Sequence, residues 1–332
     1  MSEPKWLAPA PPEPVEPRDD SPRFSIVMAT YEAADTVARS VESALAQTYP
    51  PHEVLVVDDG SSDHPEEALR PFADRIKLIR KENGGGASAL NAGMDAASGD
   101  YLAILDADDA YDPRRLEVLA RLAGDRPDLD LITTDARFVV DEDEGGTFAT
   151  YTPFVTEDQR TAIFESCFVG GWPAIRLSRL REIGGFDEEL RTGYDWDCWT
   201  RLLLTGSQAG MAIDPYYRYY LHAGSLTTSR ASSLWDRAAL LEKALESPAL
   251  RTEERPPLES AIRMHRSRAT VAEAQDAIYG SGPKGTLPKR AFAPRIQPRA
   301  RLTALAAAVA PPLARRLVPQ DRSAEDRVRE GS

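Results

Sequence analysis

Two acidic clusters stand at the ends of apolar runs. Val54-Leu55-Val56-Val57 leads into Asp58-Asp59-Gly60-Ser61-Ser62-Asp63, and Tyr101-Leu102-Ala103-Ile104-Leu105 leads into Asp106-Ala107-Asp108-Asp109. Short Val, Ile and Leu runs closed by turn residues read as strands buried in a parallel sheet. An open α/β sheet takes its ligand just beyond the carboxyl ends of such strands. Carboxylates gathered there repel one another unless a cation lies between them. Two acids, rather than a calcium cage, suit a divalent ion shared with the phosphates of a ligand, which points to Mn2+ or Mg2+.

The elements that must position these acids follow in order. Phe24 to Thr30 reads as a first strand and Asp35 to Thr48 as a helix, with Val37, Val41, Ala44 and Leu45 on one face and Pro50-Pro51 as its stop. Val54 to Val57 is the second strand, Glu66 to Phe72 a helix and Ile76 to Ile79 a third strand. Gly84-Gly85-Gly86 opens a helix that runs toward Gly99. The Tyr101 to Leu105 strand, a helix from Pro113 to Leu122 and a strand from Leu129 to Thr134 complete the alternation. This order specifies a layered α/β domain with a mainly parallel central sheet and flanking helices. Beyond it the alternation is lost. Asp141 to Gly146 reads as an acidic hairpin, Phe164 to Ile175 as irregular chain around Gly170-Gly171-Trp172-Pro173, Asp195 to Leu204 as a helix and Ala212 to Tyr220 as a late strand.

Composition narrows the function. The 332 residues carry a formal net charge of -13, which argues against general nucleic-acid affinity. Cys167 and Cys198 are the only cysteines, so neither a disulfide framework nor a cysteine-built zinc site is expected. No apolar stretch approaches the roughly 20 residues of a membrane span, and a cytoplasmic setting is expected. From Arg263 to Arg316 the charge balance turns basic. That stretch reads as a poorly packed tail, as a peripheral contact with an anionic membrane at its inner face, or as an oligomerisation segment.

At the motif level the chain resembles the large inverting glycosyltransferase family 2, with its GT-A fold. The resemblance rests on Ile26-Val27-Met28-Ala29-Thr30-Tyr31-Glu32, on Val57-Asp58-Asp59-Gly60-Ser61-Ser62-Asp63, and on Asn83 to Gly93 with its N-x-G. Leu105-Asp106-Ala107-Asp108-Asp109, Gly184-Gly185-Phe186-Asp187-Glu188 and the Tyr217-Arg218 to Ser225 region complete it. Six segments in the family's order span roughly residues 23 to 229. The resemblance implies transfer of a sugar from a nucleoside-diphosphate-sugar, UDP-sugar first and dTDP- or GDP-sugar as alternatives. The acceptor would be a hydroxyl of a glycan, lipid-linked glycan, protein or small metabolite, and the resemblance implies a place in cell-wall or polysaccharide biosynthesis. Thr30, Tyr31, Glu32, Asp59, Asn91, Asp106 and Ala107 would bind the sugar nucleotide. Of these, Tyr31 would stack on the base, Asp59 would accept from it, and Asp106 would lie near the ribose. Asp108 would hold the metal, with His222 as a further metal or phosphate contact. Leu90 stands where many relatives carry arginine.

Inverting transfer needs a base for the acceptor hydroxyl. Tyr194-Asp195-Trp196-Asp197-Cys198-Trp199-Thr200-Arg201-Leu202 aligns with the family's E-D-x-x-L-W-x-R-L, which puts Asp195 on the base and Tyr194 in place of the preceding acid. Asp197 is the second choice. Capping is the third, because Thr192 and Asp195 are close to capping-box spacing. Asp109 is a candidate cap for the helix near Pro113. Trp172, Tyr194, Asp197 and Trp199 fall on the acceptor side, the tryptophans as sugar platforms or as core. The glycine triplet serves a turn or lets donor backbone approach. The domain plan is a disordered, proline-rich acidic leader (1–22) and a GT-A domain (23–230), divided into a nucleotide-binding half (23–135) and an acceptor-binding half (136–230). A helical basic extension (231–318) and a disordered tail (319–332) follow. A sugar nucleotidyltransferase would carry a glycine-rich basic segment after the first strand, which Thr30-Tyr31-Glu32-Ala33 lacks. A catalytically degenerate binding scaffold would need none of Asp59, Asp106, Asp108 and Asp195 together.

Overall fold

The apolar runs become the interior of a ten-stranded sheet. The computed structural model describes residues 7–8, 21–140, 143–221, 230–279 and 294–309. The strands are β1 (Leu7–Ala8), β2 (Phe24–Thr30), β3 (Glu53–Asp58), β4 (Lys77–Arg80), β5 (Tyr101–Ile104), β6 (Ala110–Tyr111), β7 (Leu131–Val140), β8 (Asp143–Thr147), β9 (Ala174–Arg176) and β10 (Ala209–Leu221). The helices are α1 (Ala34–Leu45), α2 (Pro65–Leu69), α3 (Gly86–Ala96), α4 (Arg115–Asp125), α5 (Phe148–Tyr151), α6 (Gln159–Ala162), α7 (Leu177–Glu182), α8 (Tyr194–Leu204), α9 (Arg230–Ala244), α10 (Arg255–Tyr279) and α11 (Pro298–Val309). The chain divides into two compact units, one ending at Leu221 and one running from His222 to Glu330. The division precedes the boundary expected at 230.

In the first unit the strand order is β1-β10-β7-β9-β5-β2-β3-β4, with β6 on β10 and β8 on β7. β2 pairs in parallel with β3 on one side and β5 on the other. The chain therefore winds outward from β2 to β4 and then crosses back to β5. That reversal is a topological switch point, and the crevice lies at the carboxyl ends of β2, β3 and β5. Both acidic clusters leave the sheet there. β2, β3 and β5 are buried nearly throughout, as uninterrupted apolar runs require.

Several boundaries differ from expectation because long-range bonds override local pattern. α1 buries Val37, Val41 and Ala44 as expected but ends at Leu45. The Gln47 side chain donates to the Ser43 and Asp112 carbonyls and accepts from Leu116 N–H, drawing the chain out of the helix. β7 extends to Val140 because β10 pairs with it in parallel from Ala209 to Leu221. β9, inside the segment read as irregular, is a three-residue strand antiparallel to both β5 and β7. It is too short to carry a periodic signal. β8 returns on β7, in keeping with the expected acidic hairpin. Leu7–Ala8, within the leader expected to be disordered, pairs in parallel with Met211 and Ala212. Backbone hydrogen bonds to an edge strand need no apolar burial.

The second unit is helical. Ala231, Leu234, Ala269 and Ala272 form a small core against Trp235, whose Nε1 donates to Glu273. Arg266 pairs with Glu242 at 2.6 Å. No described helix is long and apolar enough to cross a membrane.

Candidate active site

The first acidic loop is braced from three directions. Asp58 accepts from Ser61 N–H at 2.9 Å and pairs with Arg80. Gly60 turns at φ +81°, where an added Cβ would lie 2.9 Å from Asn83 N, so only glycine fits. Glu32 Oε1 accepts from the Ser62 N–H and hydroxyl at 2.8 and 2.9 Å, which commits Glu32 to the loop. Asp59, buried beside β2, accepts on Oδ1 from Lys81 Nζ at 2.7 Å and Gly84 N–H at 3.0 Å. Its Oδ2 accepts from Gly85 N–H at 2.7 Å. A carboxylate has about four lone-pair sites, so Oδ2 keeps acceptor capacity while its partners fix the glycine loop. Next to it the Thr30 hydroxyl is buried and has no hydrogen-bond partner among the described residues. Tyr31, 55% exposed, presents a ring at the rim.

Asn91 faces elsewhere. Its amide donates to the Phe186 carbonyl and Glu188 and accepts from Phe186 N–H, with all three bonds between 2.8 and 2.9 Å. It ties α3 to the 185–188 loop, and its hydrogen-bonding groups are occupied there rather than at the Asp59 end.

The second acidic loop hangs from β10. Asp109 is buried and accepts from the Tyr217 hydroxyl at 2.7 Å and Tyr220 N–H at 2.8 Å, so it fixes the loop instead of capping α4. The Tyr217 hydroxyl also accepts from Asp106 N–H at 3.3 Å. Arg39 on α1 donates to the Asp108 carbonyl at 2.6 Å with its guanidinium 3.7 Å above the Tyr220 ring. Ala107 is buried. Burial, then the Asp108 and Asp195 charges, pushes Asp106 up to about 7. Burial and the neighbouring Asp106 and Asp108 charges raise Asp109 well above its ordinary value.

α8 brings the third part. Its N-cap is Gly193, at φ 72°, with no side-chain cap hydrogen bond of its own. Asp195 reaches the charges of Asp106, and its Oδ2 lies 3.5 Å from where a Cβ on Gly171 would stand. Asp197 is turned away: it is buried and pairs with Arg201 Nε at 2.7 Å. Arg201 in turn holds the Ile183 and Gly185 carbonyls. Trp172 and Trp199 are core residues, not sugar platforms. Trp172 stacks on Tyr217 at 4.9 Å and donates to the Thr134 carbonyl, and Trp199 donates to the Gly170 carbonyl. Burial, then the Asp106 and Asp195 charges, keeps Tyr194 protonated.

The Asp106 carboxylate accepts no hydrogen bond from the described residues and faces two further carboxylates. A hard divalent cation fits that donor set. Among the described residues no three His, Cys, Asp or Glu side chains form a ready metal cage. The ion would be held by Asp106 and Asp108 together with ligand oxygens. His222 lies outside the described residues.

Four positioning residues were given no role from sequence, although Tyr217 stands in one of the motifs. Tyr217, Arg39 and Lys81 act through bonds spanning many residues of chain. Arg115 is fully buried, donates to the Thr134 hydroxyl and the Trp172 carbonyl, and lies 4.7 and 5.1 Å from the Tyr111 and Tyr217 ring centroids. It links the Gly170–Trp172 turn to the tyrosine that carries the acid loop.

A nucleotide-type α/β sheet with an acidic crevice at its switch point defines a class, and comparison with known proteins agrees. The family model Glycosyl transferase family 2 matches residues 25–184. The chain is 32% identical to an uncharacterized glycosyltransferase of Rickettsia typhi, RT0329, over 56% of this chain and 60% of that one. It is also 32% identical to the uncharacterized glycosyltransferase YwdF of Bacillus subtilis, over 54% and 67%. Residues 1–349 of S. aureus TarS in complex with UDP-GlcNAc superpose with TM-score 0.61 at 17% identity, covering 89% of this chain and 90% of that one. The mannosyltransferase PcManGT of Pyrobaculum calidifontis, in complex with GDP-Man and Mn2+, gives 0.60 at 21% over 95% and 90%. At these identities the structural likeness shows the GT-A fold alone. The chain belongs to glycosyl transferase family 2. It spans 60% of the length of its Rickettsia typhi relative.

Proposed function

We propose that the protein is an inverting glycosyltransferase that moves a sugar from a nucleoside-diphosphate-sugar, UDP-sugar first, to a hydroxyl acceptor by single displacement. One observation carries this reading: Asp106, Asp108 and Asp195, from two separate elements, meet at the sheet's switch point, while the alternative base Asp197 is paired with Arg201. In the proposed reaction Asp195 takes the acceptor proton as the acceptor oxygen bonds the anomeric carbon and the bond to the diphosphate breaks, its electrons leaving with the nucleoside diphosphate. Its position in the first turn of α8 favours the ionised form. Thr30, Tyr31 and Asp59 would border the base, the buried Thr30 hydroxyl gaining a partner from it. Asp106 and Asp108 would hold Mn2+ or Mg2+, which when bound supplies charge neutralisation to the leaving diphosphate. UDP-GlcNAc and GDP-Man in the two structural neighbours, and Mn2+ in one, support this class of donor and ion. The basic stretch from Arg263 to Arg316 is the segment we assign to contact with an anionic membrane surface carrying the acceptor.

The test is a thermal-shift panel of UDP, dTDP, GDP and their sugar conjugates, with Mn2+, Mg2+ or EDTA. Ligand that binds only the folded state raises the melting temperature. A metal-dependent shift with one nucleotide is expected, and nucleotide-independent melting under every condition would reject the reading.

A further inference from the structure

Tyr194 is where this chain departs from the pattern it otherwise follows, and its hydroxyl has an unusual seat. Gly86 opens α3 at the end of the glycine loop, and a Cβ built there would lie 2.5 Å from the Tyr194 Oη and 3.0 Å from Cζ. The phenol therefore rests directly over the Gly86 backbone, in volume that any other residue at 86 would contest. Phe186 holds the ring edge-on, with centroids 6.2 Å apart. Burial, with the charges of Asp106, Asp195 and Asp108 that reach the same phenol, holds it protonated. No described residue hydrogen-bonds the hydroxyl, although it sits among polar groups.

We propose that the Tyr194 hydroxyl is a hydrogen-bond donor to the transferred sugar and a specificity-determining residue for the donor. The proposal rests on the transferase reading above. The hydroxyl sits on Gly86, one residue past the Gly84–Gly85 pair whose N–H groups Asp59 accepts, and within reach of the Asp106 and Asp195 charges, which puts it where the donor's sugar would follow its base. A carboxylate at position 194 would add a fourth negative charge to the cluster and accept only. A phenol donates without adding charge. Gly86 is the matching half of the device, since its missing side chain leaves room for the hydroxyl.

The test compares wild type and Tyr194→Phe by calorimetry with UDP against UDP-GlcNAc and GDP against GDP-Man, in Mn2+. Loss of one neutral hydrogen bond predicts about 2- to 12-fold weaker binding of the sugar nucleotide that wild type prefers. Binding of the matching nucleoside diphosphate is expected to be unchanged. Equal weakening of both ligands, or no change in either, overturns the proposal, because a hydroxyl that merely fills space over Gly86 predicts one of those results. Wild type that binds no probe overturns the transferase reading itself, and the proposal with it. A second measurement uses melting temperatures. Gly86→Ala is expected to destabilise wild type more than it destabilises Tyr194→Phe, whose missing oxygen removes the closest collision. Equal destabilisation would refute the matched pair.

Discussion

The acid cluster makes a prediction about stability against pH in the absence of metal. Asp106 has an ordinary value of 3.8 and is pushed up to about 7 by burial and by the charges of Asp108 and Asp195. A group whose folded value exceeds its unfolded value binds its proton more tightly in the folded chain. Stability is therefore highest below the unfolded value and falls as pH rises toward the folded one. At 1.36 kcal/mol per pH unit the ceiling is about 4 kcal/mol, and partial exposure with shared charge brings the expected loss to about 1–2 kcal/mol. For a domain of this size that is roughly 2–8 °C in melting temperature. The assay is thermal melting in EDTA between pH 5 and pH 7.5. Glu53 and Asp100, whose values are lowered, lose their contribution only at more acid pH. Asp106→Asn serves as the control and is expected to flatten the dependence. Mn2+ with UDP is expected to flatten it too, by keeping the carboxylates ionised. Apo stability that rises from pH 5 to 7.5, or an Asn variant with the wild-type slope, would show that the three carboxylates do not share one field.

Four further outcomes follow from the same geometry. Asp195→Asn is expected to abolish transfer while leaving nucleotide-dependent thermal shifts intact. Asp197→Asn should lower stability by about 1–3 kcal/mol, read from urea unfolding, by loosening Arg201 from a buried partner, and should retain measurable transfer. Asn91→Ala removes three bonds to the 186–188 loop and is expected to cost about 2–4 kcal/mol, with the nucleotide preference of the thermal-shift panel unchanged. Gly85→Ala, at φ +90° with open space around it, should cost about 1–2 kcal/mol from backbone strain alone, because no neighbour obstructs the methyl group.

Local sequence carried the first half of the α/β unit. The strand at Phe24–Thr30 falls where the apolar run and its polar ends put it, and Asp106 to Asp109 leave β5 as a strand end followed by turn residues must. A period of two or 3.6 residues over a long enough run is a local property, and so is a motif. The same reading missed β9, because three residues carry no period and its two partners lie far away in sequence. It also assigned ligand roles to residues whose side chains the fold employs elsewhere. Asn91 is a clamp on the 185–188 loop, and of the two roles open to Trp172 and Trp199 the fold takes the core; Asp109, read as a helix cap, is instead the hook on which the acid loop hangs.

What sequence by itself determined here is the family, the order of the elements and the acids available for chemistry. Tertiary structure decided which acids meet. Asp195 and Asp197 are two positions apart on one helix and point to different sides; Asp197 meets Arg201 by the i,i+4 spacing of α8 itself, whereas only the packing of α8 could send Asp195 toward Asp106. Likewise, nothing local to Gly86 or Tyr194 says that they touch. Their contact exists because α3 and α8 converge on one crevice, and convergence of distant elements is a property of the folded chain alone.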